Sequence, residues 1–83
     1  MTVRYKYRLD NWDLGRKTAL ELSEKFGLKF EEREETVVVY DEDESIFISF
    51  FMDPREFVFV KAKISEDKKD WFEKEIEPVL KNG

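Results

Sequence analysis

Between Ser45 and Ile64 the chain reads SIFISFFMDPREFVFVKAKI, and two sets of residues are interleaved along it. One set is Phe47, Ser49, Phe51, Phe57 and Phe59, followed by Lys61 and Lys63. Residues 3–9 repeat the device: Arg4, Lys6 and Arg8 alternate with Val3, Tyr5, Tyr7 and Leu9. Side chains two apart on a strand share a face. Aromatic rings interleaved with Lys and Arg on a sheet make a stacking platform with cations for phosphates, the physics of sheet-based single-strand binders. The same rings can equally be covered by protein, because large exposed apolar patches mark interfaces. A third reading needs no ligand: a coiled sheet partly shelters its own concave side.

Other chemistry finds little support. The chain has no His and no Cys, which removes disulfides, Cys/His metal sites, a His base and a Cys nucleophile. Ser23, Ser45, Ser49 and Ser65 have no His partner; Ser49 with Lys61 is an unspecific Ser–Lys pairing. The carboxylates fall on turns or an outer helix face, where burial does not tune them for acid–base work. Three Gly make no phosphate loop. Asp41-Glu42-Asp43-Glu44 has oxygen ligands that suit Ca²⁺, but lacks the Gly and the alternating spacing of a Ca²⁺ loop. It is expected to be a solvated turn, as is Glu31-Glu32-Arg33-Glu34-Glu35. Together the acidic turns and the last helix could imitate the phosphates of DNA, except that Lys68, Lys69 and Lys74 interrupt the field. The expectation is a chain that is not an enzyme and uses no cofactor and no metal.

Eighty-three residues read as a single domain, 1–83, with a thin core and no covalent staple. Its stability must come from packing, and the 16% aromatic content supplies the area. Charged residues of both signs reach 42%, a composition like that of thermophile surfaces, with a net charge of −5. Residues 1–9 hold no apolar signal-peptide core, and no run approaches the roughly 20 apolar residues of a span. A soluble cytoplasmic chain with no membrane partner is expected. The acidic balance counts against general nucleic-acid binding, although where the charges fall matters more than their sum.

These residues need elements to hold them. Residues 3–9 alternate as a half-buried strand. Asp10-Asn11 caps a helix over Trp12–Phe26, whose apolar arc holds Trp12, Leu14, Gly15, Thr18, Ala19, Leu22 and Phe26. Gly15 costs helix stability and implies close approach to a strand. Gly27 is the expected left-handed stop. Leu28–Arg33 and Thr36–Asp41 read as the next strands, the latter central because its apolar run is continuous. Met52-Asp53-Pro54-Arg55 turns the last hairpin. Ser65 looks like an N-cap for a helix to about Leu80, with Phe72, Ile76, Val79 and Leu80 inward and Trp71 at the edge, as Trp12 is for the first. Pro78 should kink or loosen its last turn, and Gly83 suits its end.

The order strand, helix, four strands, helix closes as an antiparallel meander with the first strand beside the fifth, giving 2-3-4-5-1. The alternative sets the first strand beside the second. Both helices then cover one face of a five-stranded antiparallel sheet, a two-layer α+β domain. This order is similar in topology to one half of the TATA-box-binding protein and to helix-grip domains, and sheets of the former kind use Phe as wedges in a bent minor groove. The inward set is Val3, Tyr5, Tyr7, Leu9, Leu28, Phe30, Ile46, Ile48, Phe50, Val58, Val60, Ala62 and Ile64, with either Val37 and Val39 or Val38 and Tyr40. The open face then holds the candidate partner-binding residues Arg4, Lys6, Arg8, Lys29, Arg33, Phe47, Phe51, Phe57, Phe59, Lys61 and Lys63. The reading is a small non-enzymatic binding module acting through that face. Its first expected partner is a protein, as a homodimer or in a larger assembly; the second is a single-stranded nucleic acid. An engineered scaffold or an acidic DNA mimic remains as a further alternative, although Gly15, Pro78 and the second Phe-rich face depart from idealised design.

Overall fold

The computed structural model describes residues 1–82; Gly83 lies outside the described residues. Strand β1 (Thr2–Leu9) leads into helix α1 (Trp12–Phe26), followed by β2 (Lys29–Glu32), β3 (Thr36–Tyr40), β4 (Ile46–Met52) and β5 (Val58–Ser65). A second helical segment covers residues 66–82. The strands form one open antiparallel sheet in the order β1-β5-β4-β3-β2, the α+β arrangement expected from the sequence. β3 is an interior strand, but the middle place belongs to β4.

Local chemistry sets each boundary. The Asn11 side chain accepts the Leu14 N–H at 2.8 Å and starts α1, and Gly27, at φ 66°, ends it in the left-handed region. The Gly27 and Leu28 N–H groups both donate to the Ser23 carbonyl. Leu28 is thereby drawn into the helix stop, so β2 begins at Lys29, one residue later than the pattern predicts. It ends at Glu32, because the Arg33 N–H closes onto the Thr36 carbonyl at 2.7 Å. Gly15 is where α1 meets β5: a Cβ there would stand 2.9 Å from Val58 Cγ2.

The β4–β5 turn sits one residue beyond its expected place. The Glu56 N–H donates to the Asp53 carbonyl at 2.9 Å, and the Asp53 N–H donates to the Phe57 carbonyl at 2.8 Å. Pro54 thus takes the second turn position, where its fixed φ fits, and Glu56 carries a positive φ of 75°.

The second helix departs most from expectation. Ser65 holds the N-cap position, but its hydroxyl donates to the Asp67 carboxylate instead of capping a helical N–H. A 3₁₀ turn (Glu66–Lys68) and an α turn (Lys69–Trp71) lead into a π stretch (Phe72–Ile76), then α geometry over Glu77–Asn82. Pro78 therefore does not loosen the last turn. It follows a widened turn in which the Glu77 N–H reaches the Phe72 carbonyl, the i→i−5 pattern. That widening relieves the clash a proline ring makes with the carbonyl four residues earlier.

The helix-covered face is closed by packing. Ala19, Leu22, Val37, Val39, Ile48, Phe50, Val58, Val60, Ile64, Phe72 and Ile76 have no exposed surface. Full burial of one such large side chain is worth about 1.5–3 kcal/mol. Val37 and Val39 settle which side of β3 faces the helices, leaving Val38 and Tyr40 on the other. Polar groups at the rim of this layer are paired. The Tyr5 and Tyr7 hydroxyls donate to Glu73 at 2.8 Å and Glu77 at 2.5 Å, strapping the second helix across β1. Burial, then these carboxylates, push Tyr5 up to about 12 and raise Tyr7 as well. Glu32, grouped above with the solvated acids, instead pairs with Arg16 of α1 at 2.6 Å.

Candidate functional site

The strand register assembles the open face into three rows that run across the sheet. The first is Lys29, Tyr40, Phe47, Lys63 and Arg4. The second is Glu31, Val38, Ser49, Lys61 and Lys6. The third is Thr36, Phe51, Phe59 and Arg8, with Phe57 beyond it at the turn. The first row is aromatic over β3 and β4, the second pairs Val38 with Ser49 and the third Thr36 with Phe51; all three are cationic over β1, with β5 changing from Lys63 and Lys61 to Phe59. Alternation puts these residues on one face, because the residues between them fill the core.

Ten of the eleven sequence-predicted residues come together here: Arg4, Lys6, Arg8, Lys29, Phe47, Phe51, Phe57, Phe59, Lys61 and Lys63. Arg33 lies one residue past β2, where its N–H meets the Thr36 carbonyl at the end of the third row. Val38 and Tyr40, whose side the sequence leaves open, join them. The Tyr40 ring lies 6.0 Å from Phe47 and makes an aromatic pair in the first row. A continuous apolar strand offers no alternation to read, so the sequence carried no signal for the side on which Tyr40 stands.

The rings are not simply bare. Phe51 and Phe59 are 38% and 37% exposed, while Phe47 and Phe57 are half-buried. Neighbours on the same face supply the shelter. Phe57 lies 5.8 Å from Phe59, with the Arg8 guanidinium 4.4 Å and the Arg55 guanidinium 4.9 Å from its ring centre. Lys61 Nζ lies 5.9 Å from the Phe51 ring. Such contacts attract a cation to a ring without neutralising its charge.

The cations on this face make no salt bridge among the described residues. Among the described residues the salt bridges are Arg16–Glu32, Asp53–Arg55, Asp41–Lys68 and Glu77–Lys81, and none involves Arg4, Lys6, Arg8, Lys29, Lys61 or Lys63. The register sets Arg4 directly opposite Lys63 and Lys6 directly opposite Lys61. Like charges placed so destabilise a sheet. Between them lies a shallow depression of about 430 Å³, lined by Arg4, Lys6, Phe47, Ser49, Lys61 and Lys63 among others.

Two other candidates take a structural role. Asp41, at the start of the acidic turn, accepts from the Ser45 hydroxyl at 2.7 Å, the Lys68 ammonium at 2.9 Å and the Ile46 N–H at 3.1 Å. Burial alone would raise this carboxyl, but the hydrogen bonds outweigh it and hold it well below the usual range. The cluster ties the β3–β4 turn to the start of the second helix. It also brings Lys68 Nζ within 2.6 Å of Ser45 Oγ, closer to a Ser–Lys dyad than anything at Ser49. The Asp41 hydrogen bond raises Lys68, which favours the charged ammonium. Among the described residues no group of three or more acids converges as a metal site, and no helix is long and apolar enough to cross a membrane. No family model, curated protein or solved structure matches the chain.

Proposed function

We propose that this chain is a non-enzymatic binding module whose working surface is the open sheet face, and that its partner is anionic there. One observation carries the reading: two like-charged pairs, Arg4–Lys63 and Lys6–Lys61, stand directly opposed, and neither is in a salt bridge among the described residues. A fold gains nothing from that arrangement, and departures from local rules concentrate at functional sites. A partner that brings negative charge turns the repulsion into attraction. Symmetric sheet-to-sheet pairing about an axis across the strands does the reverse, setting these cations against those of a second copy, a juxtaposition that costs several kcal/mol. The half-exposed rings give an anionic partner apolar area beside the charges.

Retention on immobilised heparin tests this. A chain of net charge −5 is retained at low salt only if its cations are segregated. Wild type should bind and elute with salt, and Lys61→Gln with Lys63→Gln should elute earlier. Passage of the folded wild type straight through the column at low salt would refute the proposal.

A further inference from the structure

Resting on the anionic-partner reading, we infer that the occupant of the open face is a single nucleic-acid strand laid along β4 and β5. Its bases lie over the β3–β4 side and its phosphates over the β5–β1 side. Three features of the face point there. The first is the division within each row. Tyr40 and Phe47 face Lys63 and Arg4 in the first row, and Val38 and Ser49 face Lys61 and Lys6 in the second. Phe51 and Phe59 face Arg8 in the third. A polynucleotide strand has this same division, with flat apolar bases on one side and a charge on every repeat on the other.

The second feature is the pitch. Successive rows are two residues apart along each strand, about 7 Å, roughly twice the base rise of a stacked strand. Bases stepping from row to row are therefore separated from one another, and those over the first and third rows lie on protein rings instead. A duplex, whose bases stay stacked, cannot follow that pitch. The third feature is the depression between the first two rows. Phe47 forms part of its wall, Ser49, only 8% exposed, also lines it, and four cations surround it. An acidic polypeptide would meet the cations but has no use for rings spaced in this way. Two or three bases fill the rows, the number that aromatic sheet platforms accommodate.

The test is fluorescence anisotropy at low salt with labelled DNA and RNA strands of about 12 nucleotides, long enough to span such a site. Three competitors accompany them: an abasic strand of equal length, a duplex and polyglutamate. Binding to a strand should fall with salt at a log–log slope of about −2 to −3.5, as three to five phosphate contacts require. The abasic strand should bind at least about five-fold more weakly, since each lost stack removes about five- to 100-fold. Phe47→Leu and Phe51→Leu keep apolar volume but not the ring face, and each should weaken the intact strand while leaving the abasic one unchanged. Equal affinity for abasic and intact strands, or tighter binding of duplex or polyglutamate, overturns the inference and leaves the anionic-partner reading standing. No binding to any polyanion by the folded chain overturns both.

Discussion

The two faces of this sheet are made from the same five strands by alternate residues, yet they follow opposite rules. On the helix side the polar groups that tie one element to another are paired: Tyr5 with Glu73, Tyr7 with Glu77, Arg16 with Glu32 and Asp41 with Lys68. On the open side six cations lie among half-exposed rings, and none is in a salt bridge among the described residues. The contrast teaches where evolution or design has satisfied the fold and where it has left an unmet demand. A self-sufficient face needs no partner; the other is stable in spite of its charges.

Substituting into each face should expose this difference, most strongly in the core. Phe72→Ala removes a fully buried ring and should cost about 3–5 kcal/mol in chemical denaturation. Phe51→Ala, on the open face, should cost about 1 kcal/mol or less. Comparable losses at the two positions would mean that the open-face rings are fold filling, and the contrast between faces would fail. Next in size is Gly15→Ala. In an exposed helix this change stabilises by about 1 kcal/mol. Here the new methyl meets Val58 and should destabilise by about 1–3 kcal/mol.

The helix side should also govern the response to pH. Asp41 is depressed in the folded chain, so its contribution is present above its ordinary value of 3.8 and is lost as pH falls below it. Tyr5 and Tyr7 are raised, so their contribution is complete below about pH 10 and is lost as pH climbs through about 12. Stability measured from pH 2 to 12 should be flat between these limits, and Asp41→Asn should flatten the acid limb. An acid limb that survives Asp41→Asn unchanged would remove Asp41 from that role.

The smallest expected effect is the most diagnostic. Lys61→Glu replaces a like-charged cross-strand pair by an opposite-charged one with Lys6, and should stabilise the chain by about 0.2–1 kcal/mol. It should weaken polyanion binding at the same time. Added salt should raise wild-type stability and raise that of the variant less or lower it, because screening weakens repulsion and attraction alike. A destabilised Lys61→Glu variant would show that the opposed lysines carry no strain.

Much of this was legible in the sequence, for a physical reason. Clean alternation in residues 3–9 and in Ser45–Ile64 fixes sides, and one-residue slips are forbidden by the core. The strand order, the Gly15 contact and the Gly27 stop followed from that and from backbone sterics. What could not be read lacked a local signal. Val37 to Tyr40 are apolar on both sides, so Tyr40 was left out of the aromatic set. The π turn before Pro78 depends on packing that the residue's own preference does not reveal. The pairing of Asp41 with Lys68 joins groups far apart in sequence, so an acidic turn looked merely solvated. The opposed like charges became visible only once the register was known.

The central claim is that the open face, with its cations left unpaired among the described residues, is the working surface. Amide chemical-shift mapping tests it most directly, with the folded chain titrated at low salt by a short single-stranded oligonucleotide. The account predicts progressive shifts at Arg4, Lys6, Tyr40, Phe47, Ser49, Phe51, Lys61 and Lys63, with α1 and the second helix little changed. Shifts centred on either helix, or none at a concentration that saturates a positive control, would contradict it.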